Sequence, residues 1–262
     1  MNLSLEGKTA LVCGSSQGIG KAAALELAGL GARILLLARN EASLQATLAE
    51  LPKNGATHSY LVGDFTQPEA VAEAVSQHLS SSGDTAHILI NNTGGPPGGP
   101  ITEASPEAFL RAYHMHLLCN HLISQAVIPG MKAAGYGRII NVISTSVKIP
   151  IKGLGVSNTT RGAVASWAKT LSNEVASFGI TVNNVLPGMT ATERLFSLVK
   201  SWANQRGQTE EQVIADMKAA IPAARIGEAA EIANMIAFLA SPAAAYVNGT
   251  SIPVDGGRTG AI

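Results

Sequence analysis

Three glycines, Gly14, Gly18 and Gly20, follow directly on an apolar run that ends at Leu11-Val12, in the spacing G-x-x-x-G-x-G. Glycines let backbone approach a diphosphate closely, and a helix N-terminus offers unpaired N–H groups with a partial positive charge. Gly20, at the head of the following helix, also permits close helix–strand packing. The turn, with Ser16 and Ile19 inside it, is therefore expected to hold a dinucleotide. A glycine triplet alone is a weak signal, and an ordinary strand–helix turn has the same residues. The strand before it and the helix after it supply the context that the motif needs.

Two further side chains extend this reading. Ala38-Arg39-Asn40 follows the second apolar run, where an acidic residue would bind a ribose 2′-hydroxyl. No Asp or Glu stands there, and Arg39 offers a fork that suits a 2′-phosphate. NADP(H) is thus favoured over NAD(H), the alternative being that Arg39 is a solvated cation at a helix start. Asp64 closes the third apolar run, where it would accept from an adenine amino group or serve as a turn residue.

Elements that place these residues alternate along the whole chain. Short apolar runs at 9–12, Ile34–Leu37, Ser59–Val62, Ala86–Ile90, Arg138–Ile143, Thr181–Leu186 and Thr250–Val254 read as buried strands. Helical patterns run over Gly20–Leu30, with Gly31 as its C-cap, over Glu41–Leu51 up to Pro52, and over Pro68–Leu79. Further helices cover Pro106–Ala134, Arg161–Ser177 and Ala229–Ala240, with Pro129 expected to kink or break the first of these. Asn91–Pro100, rich in glycine and proline, must be loop. The expectation is one α/β domain over 1–262, a Rossmann-like, doubly wound, seven-stranded parallel sheet with helices on both faces. A helical insertion at about 190–221 would sit on it.

Composition supports and limits this reading. Of 262 residues, 46% are hydrophobic and 14% charged, which suits a sheet covered on both faces. Lys+Arg and Asp+Glu are equal at 18 each, so no net field favours nucleic acid or an anionic membrane. Cys13 and Cys119 make neither a disulfide framework nor a metal set. With no apolar signal segment in MNLSLEGK and no run of about 18 apolar residues, a cytoplasmic protein is expected.

The chain resembles the short-chain dehydrogenase/reductases, nearest in pattern to 3-oxoacyl-[acyl-carrier-protein] reductases. The segments that carry the resemblance run from end to end: LEGKTALVCGSSQGIG, LARNEASL, GDFTQPE, ILINNTGG, GRIINVIS, VNNVLPGMTAT and RIGEAAEIANMIAFLASPAAAYVNGTSIPVDGG. The resemblance implies that Asn91 and the Asn92–Gly94 turn stabilise the sheet and line the cofactor. It implies that Pro187, Gly188 and Thr192 border the nicotinamide. It also implies a homotetramer or homodimer, with the VDGG segment near Asp255 at a subunit interface, and a small-molecule or acyl-carrier-linked substrate.

Reductases of this family use an Asn-Ser-Tyr-Lys set, in which the tyrosine protonates the carbonyl oxygen as hydride arrives. Ser144 sits at the serine position. Thirteen residues on, where tyrosine is expected, stands Ser157, and four further on Arg161 replaces lysine. The asparagine position, counted back from Pro129, falls on His116. Tyr60, Tyr113, Tyr136 and Tyr246 are the only tyrosines, so no shifted Tyr-x-x-x-Lys exists between 137 and 245. Arg161 stays charged near neutrality and suits ribose hydroxyls or an oxyanion. His116, with a reference pKa of about 6.5, is the candidate replacement acid, or else a packing histidine. His114, His116 and His121 invite a metal reading, but i and i+2 share no helical face and no carboxylate lies among them, so no metal is expected.

Three functions remain open: an NADP(H)-dependent oxidoreductase with a substituted catalytic set, a cofactor-binding protein without redox turnover, and a lyase or isomerase using His116, Ser144 or Arg161. In the 190–221 segment, Leu195, Phe196, Leu198, Val199 and Trp202 form an apolar stripe that would pack on the protein or close over substrate as a lid. Arg138, Lys148, Lys152 and Arg161 are scattered candidates for recognising an acyl carrier protein.

Overall fold

A computed structural model describes residues 1–53 and 55–261. The seven central strands are β1 (Thr9–Cys13), β2 (Arg33–Ala38), β3 (Ser59–Val62), β4 (Ile88–Asn91), β5 (Gly137–Val142), β6 (Ile180–Pro187) and, last in the chain, β9 (Ser251–Val254). They form one sheet in the order β3-β2-β1-β4-β5-β6-β9, every pair parallel. The order reverses between β1 and β4. That switch point opens a crevice beyond the strand ends, where ligands bind in sheets of this kind.

Alternation along each strand sends side chains to two cores. Ala10, Val12, Ile34, Leu36, Ile88 and Ile90 pack on one face with α1 (Gly18–Gly29) and α9 (Ala229–Ala240). Leu11, Leu35, Leu37 and Leu89 pack on the other with α3 (Pro68–Ser82), α5 (Cys119–Ala134) and α6 (Gly155–Val175). The remaining helices are α2 (Glu41–Glu50), α4 (Pro106–Tyr113), α7 (Glu193–Arg206) and α8 (Glu210–Ala219), and a small second sheet pairs β7 (Thr190–Ala191) with β8 (Gly227–Glu228). No helix among the described residues is long and apolar enough to cross a membrane.

Several boundaries differ from the sequence expectation. Helix α1 starts at Gly18, two residues early, and Gly18 makes the turn into it with a φ of 55°, a left-handed conformation that glycine allows. Helix α6 starts at Gly155, so Ser157 and Arg161 lie on it one turn apart rather than at its mouth. Pro129 does not break its helix: α5 runs through it to Ala134. The irregularity lies upstream, where His114–Leu118 widens into a π-helical turn between α4 and α5. The 190–221 stretch is two helices separated at Gly207, whose φ of 63° terminates α7.

One polar feature crosses the sheet beside these apolar layers. Asn91, Asn141, Asn184 and Ser251 are register partners on four adjacent strands. Asn91 Nδ2 donates to Asn141 Oδ1 (2.9 Å), Asn141 Nδ2 to Asn184 Oδ1 (2.9 Å), and Asn184 Nδ2 to Ser251 Oγ (3.0 Å). Buried amides are tolerated in these strands because each Nδ2 donates to the next rung, which leaves Asn91 Oδ1 at the end of the ladder as its one unpartnered atom among the described residues. Asn141 is the middle rung. Asn141→Ala strands Asn91 and Asn184 together and is expected to cost about 2–6 kcal/mol in urea unfolding, at about 1–3 kcal/mol per orphaned group. A loss below about 0.5 kcal/mol would show that the ladder contributes no stability.

Candidate active site

The glycine turn is fixed by contacts that admit no side chain. A Cβ on Gly14 would lie 2.4 Å from the Asn92 carbonyl oxygen, and one on Gly20 would lie 2.1 Å from the Gly14 oxygen. Asn92 Nδ2 donates to the carbonyls of Cys13 and Gly14, both at 3.3 Å, tying the end of β4 to the turn. Buried Ser15 accepts from Leu37 N (3.0 Å), and Gly14 N donates to Leu37 O (2.8 Å), which binds the end of β2 to the same point. Gln17, at the head of α1, supplies no side-chain cap, and the first turn holds no acid. Its first-turn N–H groups therefore open uncapped onto a cavity of about 860 Å³.

That cavity runs from the turn to the far side of the switch point. Gly14, Ser16, Gly18, Ile19, Arg39 and Ser43 line one end, and Gly94, Ser144, Ser157, Arg161, Pro187, Gly188 and Thr192 the other. Ser144 Oγ accepts from Ser146 N (3.1 Å), which leaves its hydroxyl proton to donate. Arg161 is only 8% exposed, and one Nη1–H donates to the Val142 carbonyl (2.9 Å) at the end of β5. Burial, then the charge of Arg194, lowers the Arg161 guanidinium to about 10, so it remains a cation at neutral pH. Beside Ser157, Asn158 clasps Ile151 through both amide atoms and holds the Ile151 loop on the cavity wall. Thr192 caps α7 by accepting from Leu195 N (3.3 Å).

Four of the residues expected from sequence to act in catalysis or bind the cofactor lie off this wall. Gly20 packs beneath Gly14, and Asn91 is the first rung of the asparagine ladder. Asp64 folds onto its own turn, accepting from Thr66 N (2.9 Å), a bond that with the nearby charges of Arg39 and Arg111 holds its carboxyl below the usual range. His116 is 3% exposed, and its Nδ1 pairs with the Thr93 hydroxyl, which does reach the cavity. Burial, then the Arg161 charge, pushes the His116 imidazole well below its ordinary pKa and keeps it neutral. His121 accepts from Trp167 Nε1 and His114 is exposed, so the three histidines face different surroundings.

Among the basic candidates, Arg138 is buried at the opposite end of the sheet, where it donates to Gly137, Gly179 and Ser241 carbonyls; it belongs to the fold and not to a docking patch. Cys13 and Cys119 are buried thiols, Cys119 pushed up to about 12 chiefly by burial. The apolar stripe of α7 divides: Leu195 and Val199 pack with Val213 and Met217 of α8, Leu198 and Trp202 face the cavity, and Phe196 is exposed. Sequence reasoning missed Arg111, Arg194 and Arg258 on the wall. Arg194 and Arg258 stand one or two residues past the VNNVLPGMTAT and VDGG segments and Arg111 on α4, but local spacing does not say which way their side chains face, and only the fold brings them to one cavity.

Uncapped N–H groups, a glycine turn with no room for side chains, and Arg39 beside it fit the phosphates of a dinucleotide. A family model described as enoyl-(acyl carrier protein) reductase matches residues 14–259. The chain is 36% identical to a 3-oxoacyl-[acyl-carrier-protein] reductase, FabG, of Vibrio cholerae, over 97% of this chain and 98% of that one. It is 35% identical to a tropinone reductase homologue of Arabidopsis thaliana, over 98% and 92% of the two chains. Among solved structures it resembles L-sorbose reductase from Gluconobacter frateurii, complexed with NADPH and L-sorbose, at a TM-score of 0.93 and 31% identity, with both chains fully covered. Actinorhodin polyketide ketoreductase with NADPH superposes at 0.90, with 29% identity and 97% of each chain covered. Glycine turn, sheet order and these likenesses along the whole length agree: the chain belongs to the short-chain dehydrogenase/reductase family.

Proposed function

We propose that this protein is an NADP(H)-dependent reductase of carbonyl compounds in which Ser144, Ser157 and Arg161 stand where the family resemblance sets serine, tyrosine and lysine. One observation carries the reading: a single cavity joins the uncapped glycine turn and Arg39 at one end to these three side chains at the other. Gly14, Ser16, Gly18 and Ile19 would hold the diphosphate, Arg39 a 2′-phosphate, and Pro187, Gly188 and Thr192 the nicotinamide end. When bound, NADPH supplies a hydride.

The chain's own groups then have three tasks. Ser144 and Ser157 donate hydrogen bonds to the substrate carbonyl oxygen. Arg161, with one Nη1–H spent on Val142, stabilises the negative charge that develops on that oxygen. The Ser157 hydroxyl gives its proton to the alkoxide and regains one from water. A serine is a weaker acid than a tyrosine beside a cation, and loss of a general acid costs about 10²–10⁴ in rate, so turnover is slow. His116 is not the donor: its neutral imidazole reaches the cavity only through Thr93. Homologous reductases support a small-molecule or acyl-carrier-linked carbonyl substrate, and a homotetramer or homodimer in the cytoplasm completes the proposal.

A second reading, cofactor binding without turnover, is favoured by one observation: among the described residues none of the four tyrosines lies on the cavity wall. Turnover separates the two. Consumption of NADPH with a panel of ketones, β-ketoacyl thioesters and aldehydes is expected, with kcat/KM falling about 10²–10³-fold in Arg161→Ala. A rise in Tm with NADPH but no consumption across the panel would leave the second reading.

Arg39→Ala is expected to raise the Kd for NADPH about tenfold or more, since a charge-assisted contact is worth about 1.5–3 kcal/mol, while the Kd for NADH hardly moves. Equal changes for both nucleotides would remove Arg39 from 2′-phosphate recognition.

The fold holds His116 neutral, whereas the unfolded chain binds a proton below about pH 6.5. Stability is therefore lost as pH falls from about 6.5 toward the depressed folded value. In urea unfolding, His116→Asn should show a shallower loss of stability between pH 7.5 and 5.5 than the wild type. Identical slopes would mean that His116 titrates normally.

A further inference from the structure

The cavity as a whole is lined by an excess of positive charge. Arg39, Arg111, Arg161, Arg194 and Arg258 line the cavity, against one acid, Glu193. Arg161 and Arg194 come from α6 and α7 and meet over the Gly94–Pro97 loop. If Gly95 carried a Cβ, Arg161 Nη2 would lie 3.6 Å from it, and Arg194 Nη2 and Nε 3.8 and 3.9 Å. Two guanidiniums thus flank one small volume that a glycine leaves open.

Neither has an anion to balance it. Among the described residues no carboxylate lies within ion-pair distance of Arg161 or Arg194; the ion pairs found are Lys21–Glu50, Arg33–Asp84 and Arg225–Glu231. Their hydrogen bonds go to neutral carbonyls, Arg161 to Val142 and Arg194 to Pro96. Arg161 is the buried one of the two, while Arg194 reaches it from the exposed side of the cavity mouth; a buried cation without a counter-charge is unfavourable, and a second cation beside it worsens the balance. Burial lowers the pKa of both groups, and the charge of Arg194 adds to the lowering at Arg161. An anion between the two forks would relieve both penalties and match their planar, bidentate geometry.

We propose that Arg161 and Arg194 together bind an anionic group of the substrate, a carboxylate, so that the preferred substrates are keto acids and not neutral ketones. This rests on the reductase reading for the identity of the ligand, but the anion site itself does not need the nucleotide. Arg194 is the specificity residue, because Arg161 is shared with the oxyanion. The competing source of negative charge is the cofactor diphosphate, which the uncapped head of α1 accounts for at the other end of the cavity.

Calorimetry with NADP⁺-loaded protein tests it, using 2-, 3-, 4- and 5-oxo acids and the methyl ester of each. At least one acid is expected to bind about tenfold or more tightly than its ester, that advantage vanishing in Arg194→Ala and surviving in part in Arg194→Lys. Gly95→Asp keeps an ordinary backbone conformation and places a carboxylate between the forks. It should raise Tm while abolishing the acid preference. No acid binding better than its ester overturns the proposal, as does an Arg194→Ala variant that loses NADPH affinity and not acid preference. The same titrations without nucleotide keep the two readings apart: acid preference without any NADPH binding sinks the reductase reading and leaves the anion site standing.

Discussion

Three stretches of backbone meet at the switch point of the sheet more closely than side chains would allow. Gly14 lies against the Asn92 carbonyl, Gly20 lies against the Gly14 carbonyl, and the Asn92 amide bonds across the gap. This contact fixes where α1 begins and therefore where its uncapped N–H groups point. It also sets the Thr93–Pro97 loop, which follows Asn92, along the cavity. Both ends of the site depend on it: the glycine-turn end directly, and the far end because that loop carries Gly95 between two arginines.

The far end uses charge where the family resemblance puts a phenol. Ser157 and Arg161 share a face of α6, and Arg161 is anchored by the carbonyl that ends β5. A buried guanidinium keeps its charge through neutral pH and offers several donors, so it stabilises an oxyanion well, yet it is a poor proton donor. The same charge helps to keep His116 neutral, which closes the other route to an acid. On this account the site exchanges proton transfer for anion binding, and a slow reaction on a charged substrate is the natural consequence.

Apolar runs in the sequence located the strands well, because buried parallel strands are continuous blocks of Leu, Ile and Val. Helix limits were less legible. Spacing puts the start of α1 at Gly20, whereas the helix begins at Gly18, and it expects a kink or break at Pro129, whereas α5 runs on through it and the π turn at His114–Leu118 takes the irregularity. Local spacing identified the glycine turn, since turn, strand and helix are contiguous. It did not reveal that Arg194 faces Arg161, which 33 positions and two strands separate, or that Arg138 is spent on carbonyls at the far end of the sheet. His116 was placed near Ser144 by counting. Only the fold discloses that Thr93 stands between it and the cavity.

The most direct measurement is a crystal structure of the protein grown with NADPH. The account places the diphosphate over Gly14–Ile19, the 2′-phosphate at Arg39, and the nicotinamide ring beside Ser144, Ser157 and Arg161. A nicotinamide lying away from those three side chains, or no nucleotide at the glycine turn, would contradict it.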